Sequence, residues 1–322
     1  MRARGDIFER IGKTPIVGLP RLSEAAGAEI LAKVELGNPG GSIKDRVGLA
    51  MVAAAEAEGR LAPGATIVEA TAGNTGIALA WIAAARGYRF VAVMSEADRG
   101  PKVDTMEAMG AEVVLAAADR AWNSPEGPIG TARRLVCERG GVFLDQFTNP
   151  ANPRVHERTT AAEIRRTLGD RLDAVVVGVG TGGTATGLAR ALKPAIPGLR
   201  VIGVVGVGSY LGNGRHGERI PGITPDFEAA VFERGLVDRI ETPCPGDAAR
   251  AARCLAEVEG LEAGHSSGAC LLAAENEARR RPGSRILVIV ADSARNYPAI
   301  TGQREACPNA APPLPGKTSG RR

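Results

Sequence analysis

Between residues 28 and 295 the chain alternates two textures. Short runs of Val, Ile and Leu recur between longer Ala-rich segments of mixed polarity. The apolar runs predict strands over 29–36, 66–69, 89–94, 112–115, 174–179, 200–205 and 285–291. The Ala-rich segments predict helices over 43–58, 75–86, 101–109, 131–138, 160–168, 184–193, 247–259 and 267–280. Runs such as AVVVGV and ILVIVA have no polar alternate positions. A strand of that kind is buried on both faces, as in a parallel sheet covered by helices. The predicted class is therefore α/β, with parallel sheets linked through crossover helices. After Tyr297 the chain turns to Pro, Gly and polar residues, and its last stretch reads as a disordered tail.

Composition narrows the function. The chain has 322 residues, with 42 Gly, 21 Pro and only 3% aromatics. The glycines have no three-residue period, which excludes a collagen-like chain. The net charge of +4 is spread among interleaved acids, and stacking platforms are scarce, so nucleic-acid binding is a poor reading. The longest apolar run, 77–85, is too short to span a bilayer, and no partner membrane is expected. The first residues lack the apolar core of a signal peptide. Cys137, Cys244, Cys254, Cys270 and Cys307 form no CxxC pair and have no metal spacing. Reduced thiols in a cytoplasmic protein, with no metal site, are the expectation.

Four segments carry candidate chemistry. In the first, Asn38–Arg46, a Gly-Gly turn leads through Ser42, a candidate N-cap, into a helix with Lys44 in its first turn. A cation there opposes the helix dipole, which lowers its pKa and frees the amine for Schiff-base chemistry. Alone, this pattern better describes a solvated lysine at a helix start, since surface lysines are common. The second is Glu69-Ala-Thr71-Ala72-Gly73-Asn74-Thr75-Gly76, after a strand and before a helix. Hydroxyls, an amide and free N–H groups at a helix start suit a carboxylate, though a capped turn reads alike.

The third is Gly178-Val-Gly180-Thr181-Gly182-Gly183-Thr184. It scans as GxGxxG, yet the strand ending near Val205 lacks the acid that would hold a ribose. It reads as a cup for one phosphate. The fourth, Ala291-Asp292-Ser293-Ala-Arg295-Asn296-Tyr297, lies at the C-terminal end of the last strand, the edge where open α/β sheets bind ligands.

In this order the segments resemble the β-replacement branch of the fold-type II pyridoxal-phosphate enzymes, which holds cysteine synthase and cystathionine β-synthase. GNPGGSIKDR, EATAGNTGIALA, LDQFTNPANP, VGTGGT and HSSGA extend the likeness over nearly the whole chain. The resemblance implies two open parallel-sheet domains of the tryptophan synthase β-like architecture. Residues 1–40 with 149–304 would form a larger cofactor-binding domain, 41–148 a smaller mobile one, and 305–322 a disordered tail. It implies that Lys44 links to pyridoxal 5'-phosphate and later shuttles the Cα proton. Asn74 would meet the ring hydroxyl. Thr71, Ala72, Gly73, Asn74, Thr75 and Gln146 would hold the substrate carboxylate. Gly180, Thr181, Gly182, Gly183 and Thr184 would hold the phosphate, and Ser293 the pyridine nitrogen. A neutral serine there leaves the nitrogen largely unprotonated, which favours elimination over transamination.

Arg219 and Gly222 fall where the substrate would approach. Arg219, Arg215 and His216 would suit a phosphorylated or acidic substrate if they face the site, and His265 could touch the second substrate. The leading expectation is β-replacement on O-acetylserine or O-phosphoserine, cysteine-synthase-like, with sulfide or another nucleophile. Alternatives are cystathionine β-synthase activity, a synthase using an amine nucleophile, and a catalytically idle partner protein. The resemblance also implies a homodimer acting on small amino acids.

Overall fold

The computed structural model describes residues 6–212 and 219–297. The readings of Arg215, His216 and the tail lie outside those residues. Among the described residues, ten strands form two sheets. They are β1 (Ile16–Gly18), β2 (Glu29–Val34), β3 (Thr66–Ala70), β4 (Arg89–Ser95), β5 (Glu112–Ala116), β6 (Val142–Phe143), β7 (Ala174–Gly178), β8 (Arg200–Val204), β9 (Arg239–Glu241) and β10 (Arg285–Val290). The six-stranded sheet has the order β1-β2-β10-β7-β8-β9, and the four-stranded sheet β5-β4-β3-β6. Every pairing is parallel except β1 with β2.

The helices are α1 (Pro20–Ala26), α2 (Lys44–Ala57), α3 (Asn74–Arg86), α4 (Pro101–Ala108), α5 (Pro128–Arg139), α6 (Ala151–Val155), α7 (Ala161–Leu168), α8 (Gly183–Leu192), α9 (Pro245–Glu259) and α10 (His265–Arg280). A π-turn, His156–Thr160, joins α6 to α7.

The unbroken apolar strands have the predicted consequence. Along β10, Ile286, Val288 and Val290 enter one core with α1, α9 and α10. Leu287 and Ile289 enter the opposite core with α7 and α8. The small sheet is covered in the same way, by α2, α3 and α4 on one face and α5 on the other. The predicted strands and helices all form, with ends that coincide or shift by at most three residues. Three strands of two or three residues and the helices α1 and α6 were not anticipated, because such short runs carry no period. Cys137, Cys244 and Cys270 are free thiols. Cys254 is disulfide-bonded, which departs from the expectation of reduced cysteines alone.

Candidate active site

One cavity gathers residues from the loops that follow β2, β3, β6, β7 and β10. These are the C-terminal ends of parallel strands from both sheets, so the cavity lies where the two sheets meet.

Lys44 is the first residue of α2 and lines this cavity. The last strand fixes its place: the Ile43 N–H donates to the Ala291 carbonyl at 2.9 Å, and Ser42 pairs with Asp292 across an isolated bridge. Ser42 sits one residue outside the expected cap position, its hydroxyl accepting the Lys44 N–H at 3.2 Å. Burial pushes the Lys44 pKa down, and the nearby Asp292 charge only partly offsets this.

Thr71, Ala72, Gly73, Asn74 and Thr75 also line the cavity, as does Gln146. Their hydrogen bonds interlock. The Thr71 hydroxyl accepts the N–H groups of Gly73 and Gly76, both at 3.0 Å. The Thr75 hydroxyl donates to Gln146 Oε1 at 2.7 Å, and Gln146 Nε2 donates to the Ala70 carbonyl at 2.8 Å. Beneath them the Gln146 N–H donates to Glu69 Oε1 at 3.1 Å. Glu69 is fully buried, and burial drives its carboxyl pKa well up. Gly73, at φ 145°, allows the turn into α3.

The glycine cup divides into wall and support. Gly180, Thr181 and Thr184 face the cavity, whereas Gly182 and Gly183 do not. Gly182, at φ 82°, packs its α-carbon on Phe232, and Gly183 packs on the Asn152 carboxamide. Asn152 Nδ2 in turn donates to the Thr181 hydroxyl at 3.0 Å. Thr184 Oγ1 lies 3.2 Å from Nε2 of His156, and Thr160 Oγ1 lies 3.0 Å from its Nδ1. Burial, together with the Lys44 and Arg46 charges, holds the His156 pKa far down, so its ring is neutral.

Ser293 directly follows the wall residue Asp292. It does not line the cavity; its hydroxyl accepts the Arg295 N–H at 3.3 Å and caps a short turn. Asp292 and Ser293 lie past the end of β10, where each takes part in an isolated bridge, Asp292 with Ser42 and Ser293 with Ala263. The hydroxyl on the wall instead belongs to Ser266, near the start of α10, with Cys270 one turn further on. The HSSGA segment held the signal, a serine just past a glycine at a helix start. His265 stacks against Tyr297, with ring centroids 6.0 Å apart, and does not line the cavity.

At the mouth, Arg219 and Gly222 are both wall residues. The Arg219 guanidinium donates to the Thr224 carbonyl at 3.3 Å. Asp226 accepts the Trp122 N–H at 3.3 Å, and Trp122, Phe147 and Phe227 pack into one aromatic group. The low aromatic count gave no hint that three of the eleven rings collect here.

The geometry defines a lysine-centred ligand site between two parallel α/β sheets, with a hydroxyl- and glycine-lined anion cup. The chain belongs to the pyridoxal-phosphate dependent enzyme family, whose profile matches residues 7–292. Rat cystathionine β-synthase is 43% identical over 303 residues, spanning 91% of this chain and 54% of that protein. The honeybee, Apis mellifera, enzyme of the same name is 40% identical, spanning 91% and 60%. The chain thus spans little more than half the length of the curated relatives it matches. Among solved structures, O-ureido-L-serine synthase superposes with a TM-score of 0.88 at 38% identity, over 96% of this chain and 99% of that one. A hydrogen sulfide-producing enzyme from Fusobacterium nucleatum superposes with a TM-score of 0.86 at 33% identity, over 92% and 100%.

The residues present fit the family's cofactor. A desolvated lysine amine shares a wall with Thr181, Thr184 and the start of α8. A side chain at Gly180 would run into the Gly222 carbonyl, so the glycine keeps the loops around the cavity in contact. Among the described residues no helix is long and apolar enough to cross a membrane.

Proposed function

We propose that this β-replacement family member joins a serine-derived donor to an amino-acid thiol, in the manner of cystathionine β-synthase. The observation that carries this reading is the mouth. Arg219 and Asp226 stand there with opposite charges beside the Trp122, Phe147 and Phe227 rings. A zwitterionic nucleophile with an aliphatic stem matches that surface, since Arg suits carboxylate and Asp an ammonium group.

When bound, the cofactor supplies a carbonyl carbon for Lys44 and an electron-withdrawing ring. The chain's residues do the rest. Lys44 takes the Cα proton. The Cβ–O bond breaks with its electron pair leaving on oxygen. The thiol sulfur bonds to Cβ as its proton passes to the departed oxygen, so that water leaves when the donor is serine, and Lys44 returns the proton to Cα. Asn74 meets the ring hydroxyl, and the 71–75 loop with Gln146 holds the donor carboxylate. Gly180, Thr181 and Thr184 hold the phosphate, over the supporting turn of Gly182 and Gly183. Ser266 takes the pyridine-nitrogen role first given to Ser293. Residues 41–148 act as the unit that closes over the donor, in a cytoplasmic homodimer whose size light scattering would check.

A second reading, the cysteine-synthase-like use of an O-activated serine with a smaller nucleophile, is favoured by the near-full-length likeness to O-ureido-L-serine synthase. One panel separates them. Serine, O-acetylserine and O-phosphoserine are each offered with homocysteine, sulfide and amino-acid amines, and products are read by mass spectrometry. The proposal expects the thioether from serine and homocysteine at the highest kcat/KM. Turnover only with O-acetylserine or O-phosphoserine and sulfide would replace it with the second reading.

A further inference from the structure

The carboxylate of Asp292 is 1% exposed, yet the reaction as derived gives it no part. Its surroundings are specific. Oδ2 accepts from Asn74 Nδ2 at 2.6 Å and from the Tyr297 hydroxyl at 2.7 Å. Oδ1 is buried without a hydrogen-bond partner. The Tyr297 hydroxyl also accepts from Lys102 Nζ at 3.0 Å, and that ammonium lies 4.1 Å from the ring centroid. The other end of the Asn74 carboxamide is also held, because Oδ1 accepts from Asn296 Nδ2 at 3.3 Å.

The orientation of Asn74 follows from chemistry. The Asp292 oxygen is the acceptor in this contact, so the Asn74 atom facing it is the NH2 group. That group has two hydrogens. One is taken by Asp292; the second lies on a side chain that lines the cavity and also meets the Tyr297 hydroxyl. With Oδ1 tied to Asn296, the amide cannot flip without losing both contacts. A free asparagine would present oxygen or nitrogen to the cavity with little preference. The titratable groups that face this carboxylate come from four elements: Lys44 of α2, Lys102 of α4, His265 of α10, and Tyr297 beyond β10.

We propose that Asp292 is a positioning residue: with Asn296 it locks the Asn74 carboxamide so that an N–H faces the cofactor hydroxyl, and through Tyr297 it ties Lys102 of the small-sheet unit to the end of β10. The proposal rests on the role given to Asn74 above. The DSARNY segment then serves the site through its first, fifth and sixth residues, and its serine only shapes the turn.

Asp292→Asn keeps the shape and removes the charge; because both donors meet the one oxygen Oδ2, the amide must either turn its NH2 group onto them or bury that group at the Oδ1 position, where the carboxylate has no partner. Purified apoenzymes are titrated with pyridoxal phosphate and followed by protein fluorescence. The visible absorbance is recorded from pH 6 to 10, and apoenzyme melting is measured separately. Asp292→Asn is expected to weaken cofactor binding about tenfold or more and to shift the pH dependence of the absorbance. Tyr297→Phe is expected to weaken binding severalfold, and the double variant to bind no worse than Asp292→Asn alone, because contacting residues in one network do not add. Wild-type binding by Asp292→Asn, or effects that simply multiply, overturns the proposal.

If Asp292→Asn melts far below the parent, Asn296→Ala decides instead. It is expected to weaken binding severalfold in the wild-type background and not at all in an Asn74→Ala background. Equal effects in both backgrounds overturn the proposal and leave the function standing. An Asn74→Ala protein that binds cofactor normally overturns the role of Asn74, and the positioning role with it.

Discussion

Glu163 receives Lys33 at 2.5 Å and the Arg46 guanidinium at 2.8 Å, while Arg46 also reaches Glu35 at 2.8 Å. Burial alone would raise the Glu163 pKa, but hydrogen bonds from Arg46 and Lys33 outweigh it and hold the carboxyl at about 2. A folded pKa below the unfolded one gives stability that is present above pH ~4.5 and lost as pH falls toward 2. Glu163→Gln should therefore cost about 2 kcal/mol at pH 7, after allowance for solvent screening, and flatten the acid limb of a denaturation series. An unchanged acid limb would show that the pair carries no net stability. Because Arg46 lies two residues beyond Lys44, the same cluster anchors the helix that carries the reactive amine. Lys44→Ala should fold, bind cofactor more weakly and lose the visible absorbance of the lysine-bound form. A spectrum unchanged from wild type would remove Lys44 from its role. Single residues were legible where side-chain chemistry was distinctive: one lysine among six, after two glycines, could be found from sequence. The part played by Asp292 was not, since which side chain turns inward past the end of a strand depends on a twist that the sequence does not state.

Helices and strands were legible to the extent that they are long. β2, β7 and β10 are read directly from their apolar runs, whereas β6 and β9, of two and three residues, gain their pairing from neighbours already in place. Glycines carry a second kind of element-scale information. A Cβ on Gly183 would enter the Asn152 carboxamide, which supports both Thr181 and the Gln146 carbonyl. Gly183→Ala should lower cofactor affinity at least tenfold and destabilise the protein by about 1–3 kcal/mol, the usual cost of overpacking. Fluorescence titration and thermal melting measure the two effects separately. If affinity holds while melting falls, Gly183 matters to packing alone.

The two sheets share one cavity, so the molecule as a whole decides when the donor is enclosed. Asn74 and Lys102 lie on helices over the four-stranded sheet, and Asp292 and Tyr297 follow the last strand of the six-stranded one. Binding of serine to the holoenzyme should draw these surfaces together. Hydrogen exchange should then slow in the 71–75 loop, in α4 and in the 219–227 segment, with β7 and β8 unaffected. Exchange that slows nowhere near α4 would exclude closure by the small-sheet unit. This level was least legible from sequence: the mouth is formed by Trp122, Phe147, Arg219 and Phe227, residues spread over more than a hundred positions and belonging to no single motif.

The pairing of β2 with β10 sets Glu29 beside Arg285. During synthesis the four-stranded sheet has all its strands once Phe143 has emerged, and domains generally fold as units in that order. The second strand of the chain must wait, its central partner still unmade, until Val290 appears. Lys44 and Asp292 meet only at that last step, so a chain that holds its cofactor has been translated and folded through the last strand.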